Sequence, residues 1–392
     1  MASKIHELVH DDSHGSEKAL SELTDAAVND HGESPTQHIH GDSETPETHS
    51  WIKKYLPHHV DLQELENDHH LGNYVIDRET GEKSWETMSI YVRLGMHLLF
   101  HLTLHRNHSM ALKQAKFLHW KRTEKYLEKE SRKMGEAYDR PESVDHILPF
   151  IKSFNLEDTL AQLVEPEPSK YPNFNAFFSR AIREDARPIA EPGNAKAVSS
   201  VADCRLSVFP TVDLATQYWI KGSSFTIERL LGSAEKAKLF EGGSIAIHRL
   251  APQDYHRWHA PVDGMVRSVE EIPGAYYTVN PQAINQSGTL DVFCENRRSV
   301  MMMEQAGTGR PVAVVAIGAM LVGSVIYVDG LEQPGAQMRR GQCVGKFQYG
   351  GSTVVTLHPR GDVALDQDLV RNSTEQNCET LVKVGWRIGE YQ

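Results

Sequence analysis

From Ala197 onward the chain is written in short apolar runs. Stretches such as LSVFP, QYWIKG, GSIAIHRL, GMVRSV, YYTVNP, LDVFCE, RPVAVVAIGAMLVGSVIYV and CETLVKVG are parted by Gly, Pro, Asn and Asp. That pattern predicts short, mostly antiparallel strands closed by turns. The spacing ahead of it is helical. SWETMSIYVRLGMHLLFHLTLHRNHSMALKQ predicts a long helix capped by Ser84, with Glu86 in its first turn against the positive end of the dipole. Ile90, Leu94, Leu98 and Leu102 form one stripe of it, and His97, His101 and His105 another. DRPESVDHILPFIKSFNL predicts a helix begun by Pro141 or Ser143, with Ile147, Ile151 and Phe154 on one side. YPNFNAFFSRAIREDARPI predicts a short aromatic helix that stops at Arg187-Pro188. Short helical patches are expected between Trp51 and Gly72. The fold class expected is therefore α+β, a mainly helical region over 51–195 preceding a β-rich domain over 196–392.

Composition changes this picture at the N-terminus. The chain has 392 residues, of which 40% are hydrophobic, ordinary for a protein with a sizeable core. The first fifty residues are rich in Asp, Glu, Ser, Thr and His, and they cannot bury enough apolar surface to offset their ordering entropy. A disordered acidic, His-rich tail is expected over 1–50. The net charge of −12 is uneven, because Arg106 to Lys133 is strongly basic and could meet anionic headgroups. The apolar stripe beside it is too short, and too interrupted by Arg93 and histidines, to span a membrane. No apolar run follows a basic end at the start of the chain, so no signal peptide is expected. The expected location is intracellular, cytoplasmic or peripheral on endomembranes. Four scattered cysteines form no C-x-x-C pair, and no carboxylate or cysteine cluster completes the histidine stripe, so no metal site is expected.

The stretch KFQYGGSTVVTLHP, Lys346 to Pro359, is where chemistry enters. Its β-formers are interrupted by Gly350-Gly351-Ser352, and glycine inside a strand marks a bend or a close approach to the backbone. RLAPQDYHRWHAPVDG sets His256 and His259 three residues apart among Tyr255, Arg257 and Trp258. Asp203 sits at the start of an apolar strand, where a charge is costly without a partner. Ser352, His259 and Asp203 supply a hydroxyl, an imidazole and a carboxylate, the parts of an activated nucleophile. The GxSxG elbow of hydrolases is missing, and so are the phosphate-cradling glycine motifs.

GGST, APQDYHRWHAPVDG, ADCRL, YWIKGSSFTIERLLG, YYTVNP, VAIGAMLVGS and NAFFSRAIREDARPI together resemble the successive landmarks of the phosphatidylserine decarboxylase family. The resemblance runs from about Gly135 to the C-terminus and is closest to the eukaryotic, non-mitochondrial members. No EF-hand loop of the kind that precedes the catalytic domain in some relatives is present. The resemblance implies autocatalytic cleavage between Gly351 and Ser352. Ser352 Oγ would attack the Gly351 carbonyl, and elimination would leave dehydroalanine, which hydrolyses to a pyruvoyl group. Residues 1–351 would become the β chain and 352–392 the α chain. His259, oriented by Asp203, would be the base. The covalent pyruvoyl derived from Ser352 would then be the cofactor, condensing with the substrate amine and accepting the electrons released with CO2. His256 would return the proton, and Tyr255, Tyr277 and Asn280 would line the substrate pocket. Cys204 and His248 depart from the family pattern, and His248 would face solvent or the pocket.

The activity implied is that of a carboxy-lyase converting phosphatidylserine to phosphatidylethanolamine and CO2 at a membrane surface, in a homodimer of cleaved protomers, with no nucleic acid partner. The same chemistry on a soluble amino acid such as tryptophan is an alternative. A non-catalytic membrane-surface scaffold is another, of a different class.

Overall fold

The computed structural model describes residues 72–87, 129, 132–133, 135–218, 220, 225–275, 291–318, 325–348 and 352–392. The expected tail, the patches after Trp51, the histidine stripe and the rest of the helix over 88–105 lie outside the described residues, as do Tyr277, Asn280 and Gly351.

Sixteen strands are described: β1 (Gly72–Asp77), β2 (Lys83–Thr87), β3 (Ala197–Ser199), β4 (Cys204–Phe209), β5 (Ser244–Leu250), β6 (Arg257–His259), β7 (Gly264–Ile272) and β8 (Arg298–Gln305), followed by β9 (Pro311–Gly318), β10 (Val325–Tyr327), β11 (Gln337–Met338), β12 (Cys343–Phe347), β13 (Ser352–His358), β14 (Val363–Leu365), β15 (Glu379–Val382) and β16 (Arg387–Tyr391). Ten of them form one sheet in the order β11-β7-β8-β9-β13-β5-β4-β15-β1-β2. All its pairs are antiparallel except β1 with β15. Two three-stranded sheets, β10-β12-β6 and β14-β16-β3, complete the strand set.

Period-two alternation gives the large sheet two different faces. On one face Leu206, Ala246, Val354 and Ala316 pack with Trp258, Val344 and Phe347 of β6 and β12, and with Ile388 and Tyr391 of β16. On the other face Ile247, Val355, Leu357 and Ile317 pack with Leu230, Leu231, Ala215 and Phe293 of short helices. This second face is why several strands read as continuous apolar runs: both of their sides are covered. A separate helical cluster holds Tyr138, Ile147, Phe150, Phe174, Phe177 and Phe178. Its helices are α1 (Ile147–Ser153), entered through a 3-10 turn at Pro141–His146, and α2 (Phe174–Phe178).

Two expectations are corrected. The chain from Ser84 does not begin a helix. Lys83–Thr87 is a strand that pairs with β1, closing a hairpin whose turn is held by the Asp77 carboxylate accepting the N–H groups of Glu79 and Thr80. Glu86 spends its charge on Arg205 and Arg249 rather than on a helix end, so a tertiary ion pair overrides local propensity. The aromatic helix ends earlier than expected, at Phe178, because the Ser179 hydroxyl and N–H both fold back onto the Asn175 carbonyl. A 3-10 turn at Glu184–Ala186 then carries the chain to Arg187.

Candidate active site

Ser352 is the first residue of β13, which lies between β9 and β5. Its register partners are Gly318 and Leu250, so glycine stands beside it on one side. Alternation puts its side chain on the face of Val354. Ser352 is wholly buried, and its hydroxyl has no hydrogen-bond partner among the described residues. A buried hydroxyl without a partner is costly, and such groups mark places kept for something other than stability.

Two routes bring His256 to that strand end. From Leu250, the partner of Ser352, the chain turns at Ala251–Asp254, where the Asp254 carboxylate accepts the Ala251 N–H at 2.7 Å. From the other side, the His256 carbonyl accepts the Phe347 N–H at 2.9 Å, at the end of β12. Residues 348–351 are all that separate Phe347 from Ser352. His256 Nδ1 donates to the Asp254 carbonyl, 3.0 Å away, because a carbonyl can only accept. That leaves Nε2 as the nitrogen able to exchange a proton. The ring lies 4.0 Å from the Phe178 ring, centre to centre.

His259 is fixed differently from the expectation. Its Nδ1 donates to the Gly341 carbonyl at 2.7 Å, and its Nε2 accepts from the Tyr255 hydroxyl at 3.2 Å. A backbone carbonyl, not Asp203, therefore sets the tautomer in this structure. Burial lowers the affinity of His259 for a proton, with the Gly341 contact and the charge of Asp203 opposing it, so the ring is neutral at pH 7 and basic at Nε2. Burial also drives the Tyr255 phenol well above its ordinary range, keeping it a proton donor. Gly345 of β12 matters here: a Cβ on it would lie 2.1 Å from the ring of Trp258, which falls between His256 and His259 in the sequence.

Asp203 precedes β4 and is engaged by Arg187, with three contacts of 2.6 to 3.0 Å, and by the Val384 N–H at 2.8 Å. The costly carboxylate thus has its partners, both supplied from outside its own strand. From the sequence alone Arg187 marks only the end of the aromatic helix. Its signal was a guanidinium placed just after the aromatic run, with Arg180 seven residues earlier.

A larger charge cluster backs the Asp254 turn. Arg205 Nε lies 2.9 Å from both oxygens of Glu86, and the same guanidinium grips Asp254. Arg249 holds Glu379 at 2.5 Å and reaches Glu86 at 3.6 Å. Burial pushes the Asp254 carboxyl up, only partly opposed by Arg205. It pushes Glu86 up too, but Arg205 and Arg249 outweigh it and hold that carboxyl below its usual value. His248, expected to face solvent or the pocket, does not face solvent. It is fully buried on β5, its Nδ1 3.6 Å from Cys204 Sγ.

Among the described residues no group of His, Cys, Asp and Glu could hold a metal ion, and no helix is long and apolar enough to cross a membrane.

The family model "Phosphatidylserine decarboxylase" matches residues 174–390. The chain is 42% identical over 317 residues to phosphatidylserine decarboxylase proenzyme 3 of Schizosaccharomyces pombe, covering 81% of this chain and 31% of that protein. It is 42% identical over 259 residues to proenzyme 2 of Oryza sativa subsp. japonica, 66% of this chain and 40% of that one. It is 31% identical over 255 residues to the proenzyme of Fusobacterium nucleatum, 65% of this chain and 81% of that one. The chain spans well under half the length of the eukaryotic relatives and most of the length of the bacterial one.

Proposed function

Because the chain belongs to the phosphatidylserine decarboxylase family, we propose that it cuts itself before Ser352 and decarboxylates phosphatidylserine to phosphatidylethanolamine. The observation that carries this reading is Ser352 itself: a fully buried hydroxyl, without a partner among the described residues, at the first position of a central strand.

In the self-cleavage, Ser352 Oγ bonds to the Gly351 carbonyl carbon as the C–N bond breaks, giving an ester and a free Ser352 amine. Loss of the Ser352 α-proton expels the Gly351 carboxylate and leaves dehydroalanine. Water then replaces its nitrogen, releasing ammonia and leaving the pyruvoyl end. A base is needed because serine is a weak nucleophile at its own pKa. His259 supports that role: it is neutral, its tautomer is fixed at Nδ1, and its lone pair is presented at Nε2. Asp203 supports it from a distance, as a carboxylate whose field favours the imidazolium that forms.

Ser352 is wholly buried beside Gly318, and replacing its hydroxyl by a small carbonyl group breaks no hydrogen bond to a described residue. When present, the pyruvoyl group supplies an electrophilic carbonyl able to take up the electron pair left by CO2. The chain's own residues do the rest. His256, held by the Asp254 carbonyl and stacked on Phe178, returns a proton through Nε2. Tyr255 keeps the neighbouring imidazole oriented through its contact with Nε2.

Mass spectrometry of the purified chain tests this. A fragment covering residues 352–392 and blocked by pyruvoyl is expected, together with CO2 release from phosphatidylserine vesicles. Ser352→Ala must abolish both. Decarboxylation by an uncut chain would overturn the reading.

A further inference from the structure

Arg180 is a charge the chemistry above does not use. It follows the Phe174–Phe178 helix and is 5% exposed. Its guanidinium makes one hydrogen bond of ordinary length, from Nη2 to the Gln253 carbonyl at 3.0 Å. Two further contacts, to the carbonyls of Asp254 and Phe178, are each stretched to 3.5 Å. The ring of Phe177 lies 5.2 Å from its central carbon. No carboxylate among the described residues pairs with it. The two carboxylates nearest in the site are already taken, Asp254 by Arg205 and Asp203 by Arg187.

A buried guanidinium that no carboxylate of the described residues pairs is expensive, and such a cation suits a place where an anion arrives. Its position says where. The Asp254 carbonyl that accepts from Arg180 also accepts from His256 Nδ1, so the cation and the proton-transferring ring share one oxygen. Arg257 adds a second positive charge, its Nε donating to the carbonyls of Ser179 and Arg180 at 2.9 and 3.2 Å. The site therefore carries more positive than negative charge beside His256.

We propose that Arg180 anchors the phosphodiester of the substrate headgroup beside His256. The inference rests on the decarboxylase reading and assigns that site its specificity for a phosphodiester over a bare amino acid. The substrate has two anions, and the chemistry chooses between them. A cation on the carboxylate would stabilise a charge that is lost as CO2 departs, and so would raise the barrier. The phosphodiester keeps its charge throughout, so binding it holds the headgroup in register at no cost to the chemical step. A guanidinium suits that task, since its planar fork matches two phosphate oxygens.

The test uses the purified full chain with two soluble substrates, glycerophosphoserine and O-methylserine, which differ in the phosphodiester. Arg180→Met is expected to raise KM for glycerophosphoserine by about tenfold or more, with kcat within about twofold and the O-methylserine kinetics unchanged. Arg180→Lys is expected to fall between the two. Dimethyl phosphate, which carries only the anion, is expected to compete with glycerophosphoserine and not with O-methylserine, a measurement that needs no variant. Calorimetry of dimethyl phosphate binding gives a readout independent of turnover, and Arg180→Met should abolish it. Equal losses on both substrates would place the guanidinium on the carboxylate and overturn the proposal. So would unchanged dimethyl phosphate binding in Arg180→Met. If the wild-type chain stays uncut or releases no CO2, the decarboxylase reading fails, while Arg180-dependent binding of dimethyl phosphate remains separately measurable.

Discussion

Two histidines inside the sandwich make acid its enemy. His248 on β5 and His358 on β13 are both buried, and the Nε2 of each has no hydrogen-bond partner among the described residues. The other nitrogens are engaged: His248 Nδ1 near Cys204 Sγ, and His358 Nδ1 with the Tyr391 hydroxyl at 3.1 Å. Burial lowers His248 to about 3, with the nearby His358 adding to the effect, and lowers His358 to about 4, from an ordinary 6.5. The sign follows from proton counts. Below pH 6.5 the unfolded chain binds protons that the folded chain refuses, so stability is fully present above that pH and drains away as pH falls toward the folded values. Between pH 8 and 5.5 each histidine removes about 1.4 kcal/mol, roughly 3 together, against a total of about 5–15 for a typical domain. Carboxyls raised by burial, Asp254 and Asp291, act with the opposite sign. Urea unfolding followed by tryptophan fluorescence at the two pH values measures the loss, using Ser352→Ala to keep one polypeptide. His248→Leu lowers absolute stability yet should remove about half of the pH-dependent part. A pH dependence unaltered by that substitution would refute the argument.

Two other outcomes follow from the site. Tyr255→Phe removes a hydrogen bond that favours neutral His259, so the imidazole becomes easier to protonate and the acid limb of the self-cleavage profile moves to higher pH; stopped-time denaturing gels across pH read the shift. Arg205→Met strands Glu86 and Asp254 without their shared cation and is expected to cost about 3–5 kcal/mol, read as a fall in thermal midpoint, whereas Glu86→Gln, which leaves Arg205 with Asp254, should cost clearly less.

What the sequence shows and hides divides by range. The change to short strands at Ala197 falls on the first residue of β3, and Ile147 and Ile151 are buried as their spacing requires. The glycine interruption after Phe347 separates β12 from β13, and the residues past it form a buried strand beginning at Ser352. These are local signals, carried by alternation, turns and periodicity. From Ser84 the hairpin's second strand looks like a helix start because Ser84 and Glu86 resemble a cap; the register with β15 and the reach to Arg205 are set by residues more than a hundred positions away. The partner of Asp203 was equally out of sight. Its residue type shows that it needs a cation, but that Arg187 rather than His259 meets it depends on where a 3-10 turn delivers the guanidinium. Arg180 is the extreme case, because its meaning lies in the carboxylate it does not find among the described residues, and that is visible only once burial is known.

If the chain is cut before Ser352 as proposed, the sheet order bears on what happens to the small chain. Residues 352–392 supply β13, the middle of the large sheet, which shares seven register pairs with β5 and six with β9. They also supply β15, held between β4 and β1, and β16, held by β3. Arg78 of the hairpin adds contacts to Asp366 at 2.9 Å and Asp368 at 2.7 Å, and Arg249 adds Glu379. Cleavage before Ser352 breaks one covalent bond and none of these. Unpairing β13 would expose two strand edges and the buried side chains Val354, Val355 and Leu357, worth about 1.5–3 kcal/mol each when transferred from water. The cut protein should therefore migrate as one particle on a native sizing column and separate into two chains only in denaturant. Loss of the small chain on dilution under native conditions would show that the continuous backbone, rather than the sheet, had been holding β13 in place.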